Sequence, residues 1–454
     1  MRTEENKMGV MPVNKLLVNV SLPIMISMFV QALYNVVDSI FVARLSEDAL
    51  TAVSIAFPIQ NLMIAVAVGT SVGMNAFLSR SLGEKDYDRV NKFANNGVLL
   101  ALVSYLIFLI FGLFFSKTFF LSQTSDGQII DYGISYLSII CIGSIGKFAQ
   151  IVFERLLQST GRTLHTMITQ GTGAIINIIL DPILIFGLLG FPRMGTAGAA
   201  LATIIGQSVA AILAIIFNLK TNKEIKLSIR GLKPNPKIIK DIYAVGFPSI
   251  LMMSITSITT FGMNNILNRF SSTAIAVFGI YFKLQSFVFM PVLGLNNGMI
   301  PIIAYNYGAK YRERIINIVK LSIKYAFFIM ILGLILVQIL PRQVLRLFNA
   351  SEDMFNIGIP ALRIISLSYI FAGISIVSSA VYQSFGRGSL SLITAALRQL
   401  VVLLPVAFFL SFLNNINLIW WAFPIAEVVS LIISLVFLRQ IYNSKILTME
   451  EQGN

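Results

Sequence analysis

The sequence predicts an all-α integral membrane protein whose 12 transmembrane helices form two six-helix lobes, related by a pseudo-two-fold axis along the membrane normal. Three observations predict it. Of the 454 residues, 56% are hydrophobic and 12% charged, and a mean hydropathy of +0.81 leaves too little polar material to cover a soluble globule of this size. The apolar residues gather into twelve segments, each long enough at about 1.5 Å per residue to cross a hydrocarbon layer. The two halves of the chain also match one another when the sequence is shifted by 225 residues.

The segments run at roughly 16 to 42, 51 to 80, 94 to 115, 130 to 156, 164 to 188, 195 to 219, 240 to 268, 274 to 304, 316 to 340, 355 to 382, 389 to 412 and 419 to 441. The first is too long for a signal-peptide core, and no small-residue cleavage site follows it. Charge punctuates the rest. Arg44 divides segments one and two, and Arg80, Lys85, Arg89 and Lys92 divide two and three. Lys117, Arg193 and Arg269 divide three from four, five from six and seven from eight, while Arg342 and Arg346 divide nine from ten. The side that carries both tails holds 23 Lys and Arg and the opposite side six. By the positive-inside rule both termini are cytoplasmic. The net charge of +14 therefore belongs to membrane topology and not to a nucleic-acid partner. Five further cations, Lys147, Lys283, Lys324, Arg363 and Arg398, fall inside segments.

The shift by 225 residues pairs Pro23 with Pro248, Arg44 with Arg269, Gly69 with Gly294, Gly73 with Gly298, Gly83 with Gly308, and Gln158, Ser159, Gly161 and Arg162 with Gln383, Ser384, Gly386 and Arg387. Six helices per copy is an even number, so both copies enter the membrane in the same sense, with a substrate path expected between them. The division is an amino lobe at 1–219, a basic cytoplasmic linker at 220–240 and a carboxyl lobe at 241–454. The linker, with seven cations and two prolines, reads as a solvated loop against anionic lipid heads.

Several functions are excluded. A single cysteine, Cys141, and a single histidine, His165, rule out a disulfide framework and multi-histidine or cysteine metal sites. No phosphate-binding glycine loop is present: Gly146-Lys147-Phe148 lacks the earlier glycine and the hydroxyl residue, which argues against direct ATP drive. The buried acids have no nucleophile or metal cluster beside them, so the chain reads as no enzyme. No cofactor and no obligate protein partner is expected.

The chemistry lies in the membrane. On segment one Ser27, Gln31, Tyr34, Asn35 and Asp38 share one helical stripe, which cannot face lipid and should face a protein interior or a wet cavity. In segment five Gln170, Asn177 and Asp181 share a face. Both segments run outward, so Asp38 and Asp181 should lie at similar depth. Two acids meeting there repel when both are ionised, which favours reversible protonation. Pro23 removes the hydrogen bond to the Asn19 carbonyl and makes segment one bendable. Glu154 and Lys147 share a face of segment four, and Arg398 is placed to neutralise Glu427. Met252, Met253, Met263, Phe287 and Met290 suit a cavity for flat hydrophobic cations.

Two six-helix repeats, Pro23 with Asp38 beyond it, Asn177-x-x-x-Asp181-Pro182 and the glycine-alanine opening of segment six from Gly195 to Thr203 resemble the multidrug and toxic compound extrusion (MATE) family, in its Gram-positive drug-pump branch. The resemblance implies an antiporter in a bacterial plasma membrane that exports hydrophobic aromatic cations by alternating access. It implies a cation site at Asp38, Asn177, Asp181 and Thr203 and a bending point at Pro23; from the residues themselves, substrate contacts are expected among Gln31, Tyr34, Asn35, Glu154 and the methionines and Phe287 named above. Segments seven and ten lack the acids expected of sodium-coupled members, and Asp38 and Asp181 are matched by Met263 and Val406 in the second copy. Coupling is thus expected in the first lobe only, to protons, with sodium at Asp38, Asn177 and Asp181 as the alternative. A lipid-linked sugar flippase of the same superfamily is the main rival; it would need a basic centre, for which Lys283, Arg363 and Arg398 are the candidates. A major-facilitator carrier is disfavoured, because SLGEKDYDR between segments two and three does not match its basic signature.

Overall fold

A computed structural model describes residues 6–228, 231–348 and 350–449; residues 229 and 230 of the linker lie outside the described residues. It is helical throughout, with ten helices long and apolar enough to cross a membrane and two bent helix pairs that complete twelve spans. In chain order these are α1 (Val13–Leu45), α2 (Glu47–Gly83), α3 (Tyr87–Phe114), α4 (Gly127–Ile142 with Ile145–Ser159), α5 (Thr163–Phe186) and α6 (Thr196–Thr221). The second copy comprises α7 (Pro236–Leu267), α8 (Ser272–Gly308), α9 (Arg312–Ile339), α10 (Glu352–Ser366 with Tyr369–Ser384), α11 (Gly388–Ser411) and α12 (Ile416–Ile446).

The apolar segments understate the helices. Ser46 and Ser271 cap α2 and α8 by accepting from the backbone N–H groups of Ala49 and Ala274, which satisfies first-turn donors and extends both helices past the apolar run. The breaks in α4 and α10, bent by 43° and 50°, carry no proline signal. In α4 the Gly143-Ser144 step makes the break, where Ser144 Oγ donates to the Cys141 carbonyl at 2.7 Å. The repeat is written into the backbone as well. Lys85 and Lys310 have φ of 58° and 60°, and Gly161 and Gly386 have φ of 81° and 75°.

The lobes meet where the repeat glycines lie. A Cβ on Gly73 of α2 would stand 2.0 Å from the Ile242 carbonyl oxygen of α7, and one on Gly298 of α8 would stand 2.4 Å from Ser21 Oγ of α1. Nearer the α2–α3 and α8–α9 turns, Gly83 and Gly308 each pack against backbone of the other lobe. The short helix Lys7–Val10 closes this end: Asn306 Nδ2 and Arg314 Nη2 both donate to the Met8 carbonyl at 3.1 Å, and Met8 is fully buried. Among the described residues, the cross-lobe hydrogen bonds of the spans all lie in this half.

The linker is less loose than its composition suggests. Asn91, Asn95 and Asn96 of α3 accept from the backbone N–H groups of Lys226, Ser228 and Asn235 at 2.7, 3.2 and 2.9 Å. Its described residues on either side of 229 and 230 are tied to α3 at these three points.

Candidate functional site

Proline at position 23 leaves the Asn19 carbonyl without its helical donor. Thr163 Oγ1 of α5 supplies one at 3.4 Å, and Ser27 Oγ donates to the Pro23 carbonyl at 2.8 Å. The weak point of α1 is thereby tied to α5. Two turns further on, the stripe of α1 turns inward, and Gln31, Tyr34 and Asn35 line a cavity of about 630 Å³ between the lobes. Ser27 does not line that cavity, although Ile24 and Met28 on either side of it do; its hydroxyl is turned into its own helix.

Beyond the cavity wall Asp38 meets Asp181, carboxyl to carboxyl. Asp181 is fully buried, and Oδ1 of Asp38 is buried with no hydrogen-bond partner. Asn177 lies one turn before Asp181 and joins it to α6: its side-chain amide N–H donates to Asp181 Oδ2 at 3.3 Å, and its amide oxygen accepts from the Thr203 backbone N–H at 3.2 Å. Asn177 and Thr203 also line the cavity, so this acid pair borders the space in which a ligand would sit. Three further residues complete the surroundings. Gln207 of α6 faces the Tyr34 hydroxyl, and Tyr136 of α4, which faces the same acids, accepts from Gln60 Nε2 at 3.1 Å. Tyr136 and Gln207 had no sequence signal beyond lying in apolar spans.

Glu154 is more enclosed than a residue near a helix end should be. It is 3% exposed and accepts from Thr169 Oγ1, Gln170 Nε2 and Gln150 Nε2 at 2.8, 2.7 and 3.1 Å. Arg155 donates to Gln158 and, across the lobes, to Asn297 of α8 at 2.9 and 3.2 Å.

Met252, Met253 and Met290 line the carboxyl-lobe wall. Two other expected contacts do not reach it. Met263, three turns beyond Met252 on α7, is fully buried in the carboxyl-lobe core, because the wall closes over α7 at that depth. Phe287 is 38% exposed and packs edge-on against Phe29 of α1, with ring centroids 6.0 Å apart. Tyr34 is the one aromatic among the described lining residues, so the cavity offers thioethers and amides in place of a phenylalanine cage. The basic centre of a sugar-lipid flippase is not assembled from Lys283, Arg363 and Arg398. Arg398 lines the cavity but is bound to Glu427 at 2.9 Å. Lys283 stands over the Phe348 ring at 5.7 Å, and neither it nor Arg363 lines the cavity.

Two parallel six-helix copies, joined at one end around a central cavity that touches a membrane-buried acid pair, define a multi-pass membrane transporter and not an enzyme. The chain belongs to the MatE family, whose model matches residues 23–183 and 248–409; the two matches begin on Pro23 and Pro248, in the register of the internal repeat. It is 27% identical over 430 residues, 94% of each chain, to multidrug export protein MepA of Staphylococcus haemolyticus (strain JCSC1435). It is 28% identical over 422 residues, 92% of this chain and 91% of the other, to MepA of Staphylococcus aureus (strain bovine RF122 / ET3-1). Among solved structures, the outward-facing conformation of a multidrug resistance MATE family transporter of the MOP superfamily superposes with a TM-score of 0.92. That match has 27% identity and covers 99% of this chain and 100% of that one.

Proposed function

We propose that the protein is a proton-coupled antiporter that exports amphiphilic organic cations across a bacterial plasma membrane by alternating access. The observation that carries this reading is the contact between Asp38 and Asp181 behind a cavity wall formed by Asn177 and Thr203. Two carboxyl groups in contact repel when both are ionised. A proton on the pair and a cation in the adjoining cavity therefore weaken one another, and that reciprocal penalty is what coupling requires. With both termini cytoplasmic, the end closed by Met8, Asn306 and Arg314 faces the cytoplasm.

Pro23 supports a route for the switch. A shift of α1 at the proline alters the stripe that carries Gln31, Tyr34, Asn35 and Asp38 together, because one rigid helix half bears all four. Exchange of one monovalent cation for one proton moves no net charge and draws on the pH gradient alone, ~1.4 kcal/mol per unit. A second proton would add ~2.3 kcal/mol per 100 mV. Sodium is the competing driving ion, since Asp38, Asp181 and the Asn177 carbonyl are hard oxygen donors.

The test is dye export from proteoliposomes with proton and sodium gradients imposed separately. The proton reading expects export under the pH gradient alone and its loss in Asp38→Asn, with dye binding retained. Export driven by sodium alone, or normal pH-driven export by Asp38→Asn, refutes it.

A further inference from the structure

The carboxyl lobe carries a second hollow, a groove between α7 and α11 that shares no lining residue with the central cavity. It encloses about 370 Å³ and is walled by Gly262 and Ile266 of α7 and by Leu400, Leu404, Phe408 and Phe409 of α11. All of these are apolar, and Phe409 is 67% exposed within a membrane span. The groove therefore opens to the hydrocarbon of the bilayer.

Two local features shape it. At Gly262 the missing side chain lets Leu404 sink onto the α7 backbone, since a Cβ there would stand 2.8 Å from Leu404 Cδ2. Over Leu397–Leu403 α11 leaves α-helical geometry, and the Leu404 N–H bonds to the Gln399 carbonyl five residues back. Such a π turn widens the helix and recurs at functional sites. Pro405, which has no N–H to give, follows directly. The first copy has neither feature: Val37 and Leu180 stand at the positions matched to Gly262 and Pro405, and α5 is continuous α-helix from Thr163 to Phe186. The groove is thus particular to the second copy and not a by-product of the duplicated scaffold.

A cation stands at its mouth. Arg269 lies just beyond Ile266, at the end of α7 away from both termini, with its guanidinium over the Phe408 ring at 5.1 Å. No described residue gives that guanidinium a hydrogen bond or an ion pair. Exchange of one hydrocarbon for another gains no hydrophobic free energy, so a lipid is retained here by packing and by its headgroup. A guanidinium offers paired N–H donors in the geometry that a phosphate accepts. From Phe408 down to Leu400 the groove runs about 12 Å, at 1.5 Å per residue, which is room for the upper part of an acyl chain.

We infer that α7 and α11 form a binding site for an anionic phospholipid, with its acyl chain in the groove and its phosphate on Arg269. The test is photolabelling of the purified full-length protein in phosphatidylcholine vesicles by a phosphatidylglycerol that carries a diazirine in its acyl chain, with labelled peptides mapped by mass spectrometry. Labelling of residues 400–409 should exceed that of the matched face, 175–184, and fall when unlabelled phosphatidylglycerol is added. Arg269→Gln changes an exposed side chain and should reduce the excess about five-fold, the scale of one surface cation on an anionic headgroup. Gly262→Val should abolish it, because the new side chain pushes the Leu404 tip into the groove. Equal labelling of the two faces, the mark of ordinary boundary lipid, overturns the inference. So does an excess that unlabelled lipid does not displace, or one that Arg269→Gln leaves intact.

Discussion

Gly73→Ala should loosen the seal between the lobes. The added Cβ would stand 2.0 Å from the Ile242 carbonyl oxygen and 2.9 Å from its carbon. Both are backbone atoms, so no side chain can rotate away, and α2 and α7 must part by ~1 Å or more to reach ordinary contact. Overpacking of this kind costs about 1–3 kcal/mol. The whole of it falls on the conformation in which the two helices touch, so the closed-end population should drop by about 5- to 150-fold relative to the state in which they separate. Distances between spin labels on Asp88→Cys and Glu313→Cys, exposed first-turn residues of α3 and α9, would report it in a chain whose buried Cys141 is replaced by alanine. The expected result is a longer, broader distribution with dye export reduced. Gly279→Ala is the control, since nothing lies within 4 Å of its Cβ. A Gly73→Ala protein with the wild-type distribution and full transport would refute the claim that this glycine sets the lobe contact.

Two further outcomes test the supports of the site. Glu154→Ala removes the acceptor for Thr169, Gln170 and Gln150 and strands buried donors, so it should lower stability by about 1–3 kcal/mol. Glu154→Gln keeps an acceptor and should melt between alanine and wild type in detergent; equal melting of all three would show the carboxylate to be idle. Thr163→Val should cost about 1 kcal/mol by freeing the Asn19 carbonyl, and nothing once Pro23→Ala restores that carbonyl's helical donor. Additive losses in the double variant would mean that Thr163 acts elsewhere.

Much of the candidate site was legible because helical spacing is a strict geometric constraint. Residues three, four and seven apart share a face, so Gln31, Tyr34 and Asn35 could be aligned along α1, and Asn177 with Asp181 along α5, before any helix was placed. Arg398 and Glu427 were likewise placed to meet, because buried opposite charges on neighbouring antiparallel spans gain from pairing. Methionine and phenylalanine carry no such sign. They are at home in a core, in lipid and in a cavity, and only packing separated Met252, Met253 and Met290 from Met263 and Phe287.

The sequence by itself determined the membrane class, the twelve spans and the internal duplication, since hydrophobic length and a fixed register are properties of a single chain. It also determined that charge inside the spans differs between the copies: Asp38 and Asp181 face Met263 and Val406, and Lys147 faces Ala372. Tertiary structure alone decided what the duplicated glycines are for and which buried charges are satisfied. Gly73, Gly83, Gly298 and Gly308 were a pattern in the chain and became the lobe contact only when α2 met α7 and α8, and α8 met α1. Glu154 and Lys147 looked like a pair on one helix face; the carboxylate took its partners from α4 and α5, and the ammonium was left lining the cavity. Partners distant in sequence have no spacing to read, and the cost of burying a charge depends on which of them arrive.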